Sequence, residues 1–131
     1  MSFVEKESKK YINEQSFEEL KCKSLTVGDL LICRLAEPAG RACVLPDIGE
    51  KKVITSVDVS ICRPDEREAN RLFLTYLFST SVWFNSVIEK VGGTTHKRIS
   101  RSAMGHINIK LPSIIEQDST ATILSDMDNE I

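Results

Sequence analysis

The apolar pattern of this chain changes its period once, close to Pro64, and that change limits the class of fold open to it. Val27-Gly28-Asp29 reads as a turn into a strand, Leu30-Leu31-Ile32-Cys33. Pro38-Ala39-Gly40 marks another turn, and Ala42-Cys43-Val44-Leu45 reads as the next strand. After a turn over 46–49 come Val53-Ile54-Thr55. Val57, Val59 and Ile61 then alternate with Asp58, Ser60 and Cys62, the period-two signature of a half-buried strand. Beyond Pro64-Asp65-Glu66 the spacing becomes helical: Phe73, Tyr76 and Leu77, then Phe84, Val87, Ile88 and Val91, recur at three and four residues. Ser79-Thr80-Ser81 divides this region into two helices, and Gly92-Gly93 ends the second. Strands first and helices after, without alternation, predict an α+β fold: a twisted, mostly antiparallel sheet with packed helices.

The flanks extend this plan. Residues 1–24 are polar, and Ser16-Phe17-Glu18-Glu19 matches a capping box that opens a short helix. Ser100 caps a single turn of helix running to Gly105. Ile107, Ile109 and Leu111 alternate with Asn108 and Lys110, which predicts a last strand stopping at Pro112. Ser113-Ile114-Ile115-Glu116 is a second capping box, and in the helix it opens Thr120, Leu124, Met127 and Ile131 follow a four-three-four spacing. That is the start of a coiled-coil seam. Isolated helices shorter than about 12–15 residues are marginal in water, so Leu124, Met127 and Ile131 are expected to meet a partner helix. Folding back onto their own domain is the competing reading.

The 131 residues fit one domain, and 41% hydrophobic with 27% charged is enough to bury a core. No apolar run approaches the roughly 20 residues that span a bilayer, and the first ten residues carry no signal-like apolar stretch. A cytoplasmic protein with no membrane partner is the expectation. Cys22, Cys33, Cys43 and Cys62 contain no closely spaced pair, and three lie in strand-like runs, so buried thiols are expected rather than zinc. Dinucleotide, P-loop, nucleophile-elbow and zinc-protease motifs are missing. Pro46-Asp47 with Glu50-Lys51-Lys52 spells a nuclease-like pattern, but the spacing puts both carboxylates in one turn, where hairpin residues are the better reading. No nucleophile is tied by spacing to His96 or His106. No catalytic residue, metal or cofactor is therefore expected.

Charge is unevenly distributed. The tail holds Glu116, Asp118, Asp126, Asp128 and Glu130 and no base; the chain carries −2 overall and would carry +3 without them. Between Glu89 and Glu116 there is no acid, while Lys90, Lys97, Arg98, Arg101 and Lys110 all lie there. Such a stretch suits a solvated face or a phosphate-binding surface.

Several segments, in order, resemble a known family. They are Lys10-Tyr11-Ile12-Asn13-Glu14, Leu25-Thr26-Val27-Gly28-Asp29-Leu30-Leu31, and Gly92-Gly93-Thr94-Thr95-His96-Lys97-Arg98-Ile99-Ser100. Ile107-Asn108-Ile109-Lys110-Leu111-Pro112, Glu116-Gln117 and Ile123-Leu124-Ser125-Asp126 complete the set. Together they resemble the specificity subunit of type I restriction-modification enzymes, from within a target-recognition domain to the first turns of the helix after it. The resemblance implies a recognition domain over 1–112, incomplete at its N-terminal side, and the start of a conserved spacer helix over 113–131. It departs from the family pattern in having a short N-terminal side, a helix that stops near its beginning and no second recognition domain.

The resemblance further implies a non-catalytic module that reads double-stranded DNA and directs associated subunits. The helix would dock the modification (methyltransferase) subunits, which carry the S-adenosylmethionine chemistry, with the restriction subunit as a further partner; the apolar seam by itself also suits self-association with a second copy. Arg34, Arg41, Thr94, Thr95, His96, Lys97, Arg98 and Arg101 are the residues expected to face DNA, while Ser100 is assigned to helix capping. Residue types alone suit equally well an Arg98 paired with a core-edge carboxylate and a solvated remainder; the resemblance favours DNA. Two other classes compete. One is a truncated interaction module that binds a partner helix without DNA, and the other is a small nuclease.

Overall fold

The computed structural model describes residues 24–36, 38–50, 52–93 and 97–129. Within them, three antiparallel strands are ordered β2-β1-β3, where β1 is Leu30–Cys33, β2 is Ala42–Val44 and β3 is Val59–Cys62. Four helices follow: α1 over Arg71–Leu77, α2 over Ser81–Ile88, α3 over Arg101–Gly105 and α4 over Ile114–Asn129. The class is α+β, as the change of period predicts.

The central strand is apolar on both sides because both its faces are covered. Leu30 and Ile32 turn toward the helices and join Ala42, Leu74, Phe78, Trp83, Val87 and Ile99. Leu31 turns the other way, to Leu25 and Leu45, with Cys43, Val53, Val59 and Ile61 packed around them. The register sets Leu31 opposite both Cys43 and Ile61, so a slip of one residue would exchange the two cores. Side-chain oxygens start the helices by accepting otherwise unpaired main-chain N–H groups. Asn70 accepts from Phe73 N at 2.8 Å, Thr80 from Trp83 N at 3.3 Å, Ser100 from Ala103 N at 3.0 Å and Ser113 from Glu116 N at 3.3 Å. Thr80 is the reason that the helical region breaks where it does.

One expected strand, over 107–111, is corrected, and residues 53–55 add little to the sheet. Residues 53–55 contribute one isolated bridge, Val53 to Leu25. Residues 107–111 form no strand: alternation creates an apolar edge, but a strand also needs a ladder partner, and among the described residues this segment has none. The capping box at Ser16 and the thiol of Cys22 lie outside the described residues. Cys33, Cys43 and Cys62 are free and half-buried, and burial pushes the Cys43 and Cys62 thiols up. Asp47 accepts from Gly49 N at 2.9 Å, a turn contact within the nuclease-like pattern.

Asp29 holds the turn into β1. Its carboxylate is buried, accepts from Thr26 N at 2.8 Å, and takes two bonds from Arg63, Nε at 2.9 Å and Nη2 at 2.8 Å. The Arg63 guanidinium, opposed by burial and helped by the Thr26 amide, holds the carboxyl below the usual aspartate range. A lowered folded-state pKa stabilises the fold at every pH above the unfolded value, and this contribution is lost as pH falls through the folded one. Asp29→Asn is therefore expected to cost about 1–3 kcal/mol at pH 7, since it removes the charge from a buried hydrogen-bonded pair. The gap between the two proteins should begin to narrow below about pH 4 and keep narrowing as the pH falls further. Urea midpoints from pH 7 to 3 check this, and a gap that stays constant across the range would disprove the linkage.

Candidate nucleic-acid interface

Beyond Cys33 the chain of β1 runs on beside residues 97–99. Ala36 N donates to Lys97 O at 3.0 Å, Ile99 N donates to Arg34 O at 3.0 Å, and Leu35 bridges Arg98. Arg98 is also paired with Gly92: Gly92 N donates to Arg98 O at 2.9 Å and Arg98 N to Gly92 O at 3.0 Å. These reciprocal bonds close the base of a loop and carry it on the end of the sheet. Gly93 adopts a φ of 99°, the left-handed conformation that lets the backbone leave the pair sharply. Thr94, Thr95 and His96, expected to face DNA, lie outside the described residues.

The cations expected from the sequence gather at this end of the sheet, but not in equal roles. Lys97 is exposed, and among the described residues it makes no ion pair. Arg98 pairs with Asp58 at 3.0 Å, so the core-edge carboxylate of the competing reading is present; the Arg98 side chain nevertheless remains 44% exposed. Arg101 is exposed and reaches Val57 O at 3.5 Å. Arg41 is half-buried, with Nη2 donating to Cys33 Sγ at 3.1 Å.

Arg34 differs from the expectation. It is buried, and its guanidinium donates to the carbonyl oxygens of Ile99, at 3.3 Å, and Val57. It ties the loop base to the turn before β3 and underlies the surface instead of facing solvent. Burial holds its pKa below the usual arginine value, Arg101 and Arg98 add repulsion, and Asp58 opposes them. Three guanidinium groups are thus close enough to feel one another.

The β1–β2 turn that flanks this surface rests on α2. Trp83 Nε1 donates to Gly40 O at 2.9 Å. Gly40 has a φ of 96°, and a Cβ there would stand 2.9 Å from Trp83 Nε1 and 3.0 Å from Val87 Cγ2, so glycine is required by both conformation and space.

Over residues 2–131 the sequence matches the family model described as type I restriction modification DNA specificity domain. The chain belongs to that family. A search of curated proteins finds no match. Membership gives this specificity domain a role in DNA recognition by a type I restriction-modification system. No helix among its described residues is long and apolar enough to cross a membrane.

The last helix of the specificity domain docks on α1 through polar groups. Gln117 is fully buried; its Oε1 accepts from Asn70 N at 2.9 Å, and its Nε2 donates to Glu68 O and Pro112 O, both at 2.9 Å. Asn70 Nδ2 donates to Asp118 at 2.8 Å, and the Tyr76 hydroxyl to Asp128 at 2.7 Å. Ala121 is buried on the same face and Leu124 half-buried. Met127 points outward at 58% exposure, with Ile123 also exposed, and Ile131 lies outside the described residues. Sequence reasoning missed Asp58, Arg63 and Gln117. A signal existed for the last: Gln117, Ala121 and Leu124 share the i, i+4, i+7 spacing of one helix face.

Proposed function

We propose that the surface around the end of β1 binds double-stranded DNA, with Lys97, Arg98 and Arg101 meeting phosphates and Arg41 reading a base edge. The observation that supports this reading is the pairing of Gly92 with Arg98 at the end of β1, which sets Lys97 and Arg98 at one end of the sheet, near Arg101, while Arg34 braces the loop base from below. Thr94, Thr95 and His96 complete the surface in this reading. The module is non-catalytic, works in the cytoplasm, and directs modification and restriction subunits to the DNA. Residues 1–112 form the recognition domain, and 113–131 open a spacer helix that becomes a coiled coil with a partner. That partner helix meets Leu124, Met127 and Ile131, with the exposed Ile123 beside them; this part fails if the chain stays monomeric and retains no modification subunit.

The test is DNA affinity as a function of salt. Each phosphate neutralised contributes about 0.9 to the slope of log affinity against log salt, so Lys97→Ala should lower the slope by about 1 on every sequence. Arg41→Ala, in contrast, should cost about 1–3 kcal/mol on the preferred sequence and relax preference there. Unchanged low-salt binding after combined replacement of Arg41, Lys97, Arg98 and Arg101 by alanine would remove the DNA surface from this end of the sheet.

A further inference from the structure

Within the cationic surface one apolar side chain projects outward. Val57 is 70% exposed and sits at the apex of the turn entering β3, where Val59 N donates to Ser56 O at 3.2 Å and Asp58 N to Ser56 Oγ at 3.3 Å. Turn apices favour glycine, proline, asparagine, aspartate or serine, and a β-branched residue there gains nothing from burial. The turn is braced on all sides. Val57 O accepts from Arg34 and lies 3.5 Å from Arg101 Nη2; Asp58 O accepts from Arg34 N at 2.7 Å, and the Asp58 carboxylate pairs with Arg98 at 3.0 Å. A stiff side chain with few rotamers is therefore held on a fixed backbone, with guanidinium groups around it.

We propose that Val57 is a specificity-determining residue that packs against the 5-methyl group of a thymine in the major groove. This inference rests on the DNA-binding reading given above and names one base feature that the same surface recognises. The physical case is complementarity. Arg98 and Arg101, which both contact the turn, would hold phosphates, and the feature that an apolar tip can read among base edges in the major groove is the thymine methyl. Because the turn is already ordered, the contact costs little conformational entropy on binding.

The experiment uses the full chain and a random duplex library, enriched by wild-type binding at fixed salt. The enriched duplexes are remade with deoxyuridine replacing thymidine, one position at a time, which deletes only the methyl group. One replacement is expected to weaken wild-type binding about fourfold, the effect of leaving one methyl-sized group unburied. Val57→Ser, whose position is exposed, should bind the thymidine and deoxyuridine forms of that duplex equally. Salt-dependent wild-type binding that distinguishes no thymidine from deoxyuridine overturns this inference and leaves the DNA-binding reading standing. So does a methyl preference that persists in Val57→Ser. Loss of modification-subunit capture in Val57→Ser, with the methyl preference intact, overturns it in favour of a protein contact. Absence of any salt-dependent binding overturns both readings.

Discussion

Replacing Trp83 with alanine is expected to cost about 3–5 kcal/mol, the range for removing a large aromatic side chain from a core. The indole is buried between the sheet and α2, stacks at a tilt on Phe78 with ring centroids 4.2 Å apart, and anchors Gly40 O. Its loss leaves a cavity and a carbonyl without its donor. Domains of this size are stable by only about 5–15 kcal/mol, so the variant should lose a large share of its stability. Trp83→Phe keeps most of the packing and removes the indole donor, and should cost about 1–3 kcal/mol. Urea denaturation of both variants checks the order, and a Trp83→Ala loss below that of Trp83→Phe would contradict the packing assigned here. DNA affinity adds a second readout, because the turn that Trp83 supports flanks Arg41.

Gln117→Ala is expected to cost about 2–4 kcal/mol: it removes the partner of three main-chain groups, and because these bonds are part-buried, water can replace some of the about 1–3 kcal/mol lost for each fully buried group left unsatisfied. The effect should be local in the first instance. Much of what is seen to join α4 to α1 is polar: beside Gln117, Asn70 bonds Asp118 and Tyr76 bonds Asp128, while Ala121 is small and Leu124 half-buried. Amide hydrogen exchange over 114–129 should quicken well before that of β1, reporting release of the helix from an intact sheet. Equal acceleration in both segments would show that α4 and the sheet open as one cooperative unit.

The two replacements separate what local sequence encodes from what the fold imposes. The start of each helix is a matter of neighbouring residues: Thr80, Ser100 and Ser113 each accept from an amide three positions on, so the break at 79–81 and the caps at Ser100 and Ser113 could be read from the sequence. The same holds for the change from alternating to helical spacing that predicts α+β. Strand 107–111 could not be decided in this way, because alternation describes a strand's faces and says nothing about a free edge for it to join. Arg34 belongs to the same group. Residue type and position made it a DNA contact; a carbonyl 65 positions away made it a brace.

For the candidate site, the acid-free stretch around Lys97 was visible as composition, and the closure of its loop by Gly92 and Arg98 follows from local pairing. Its attachment to the end of β1, the Arg98–Asp58 ion pair and the exposed Val57 apex required the tertiary structure. The physical reason is range. Backbone torsions and capping bonds act over three or four residues, so the sequence alone determined where elements begin and which period they follow. The partner of a buried guanidinium or amide is chosen by whichever distant segment packs against it, and only the folded chain decides whether a cation or a carboxamide ends in the core or at the surface.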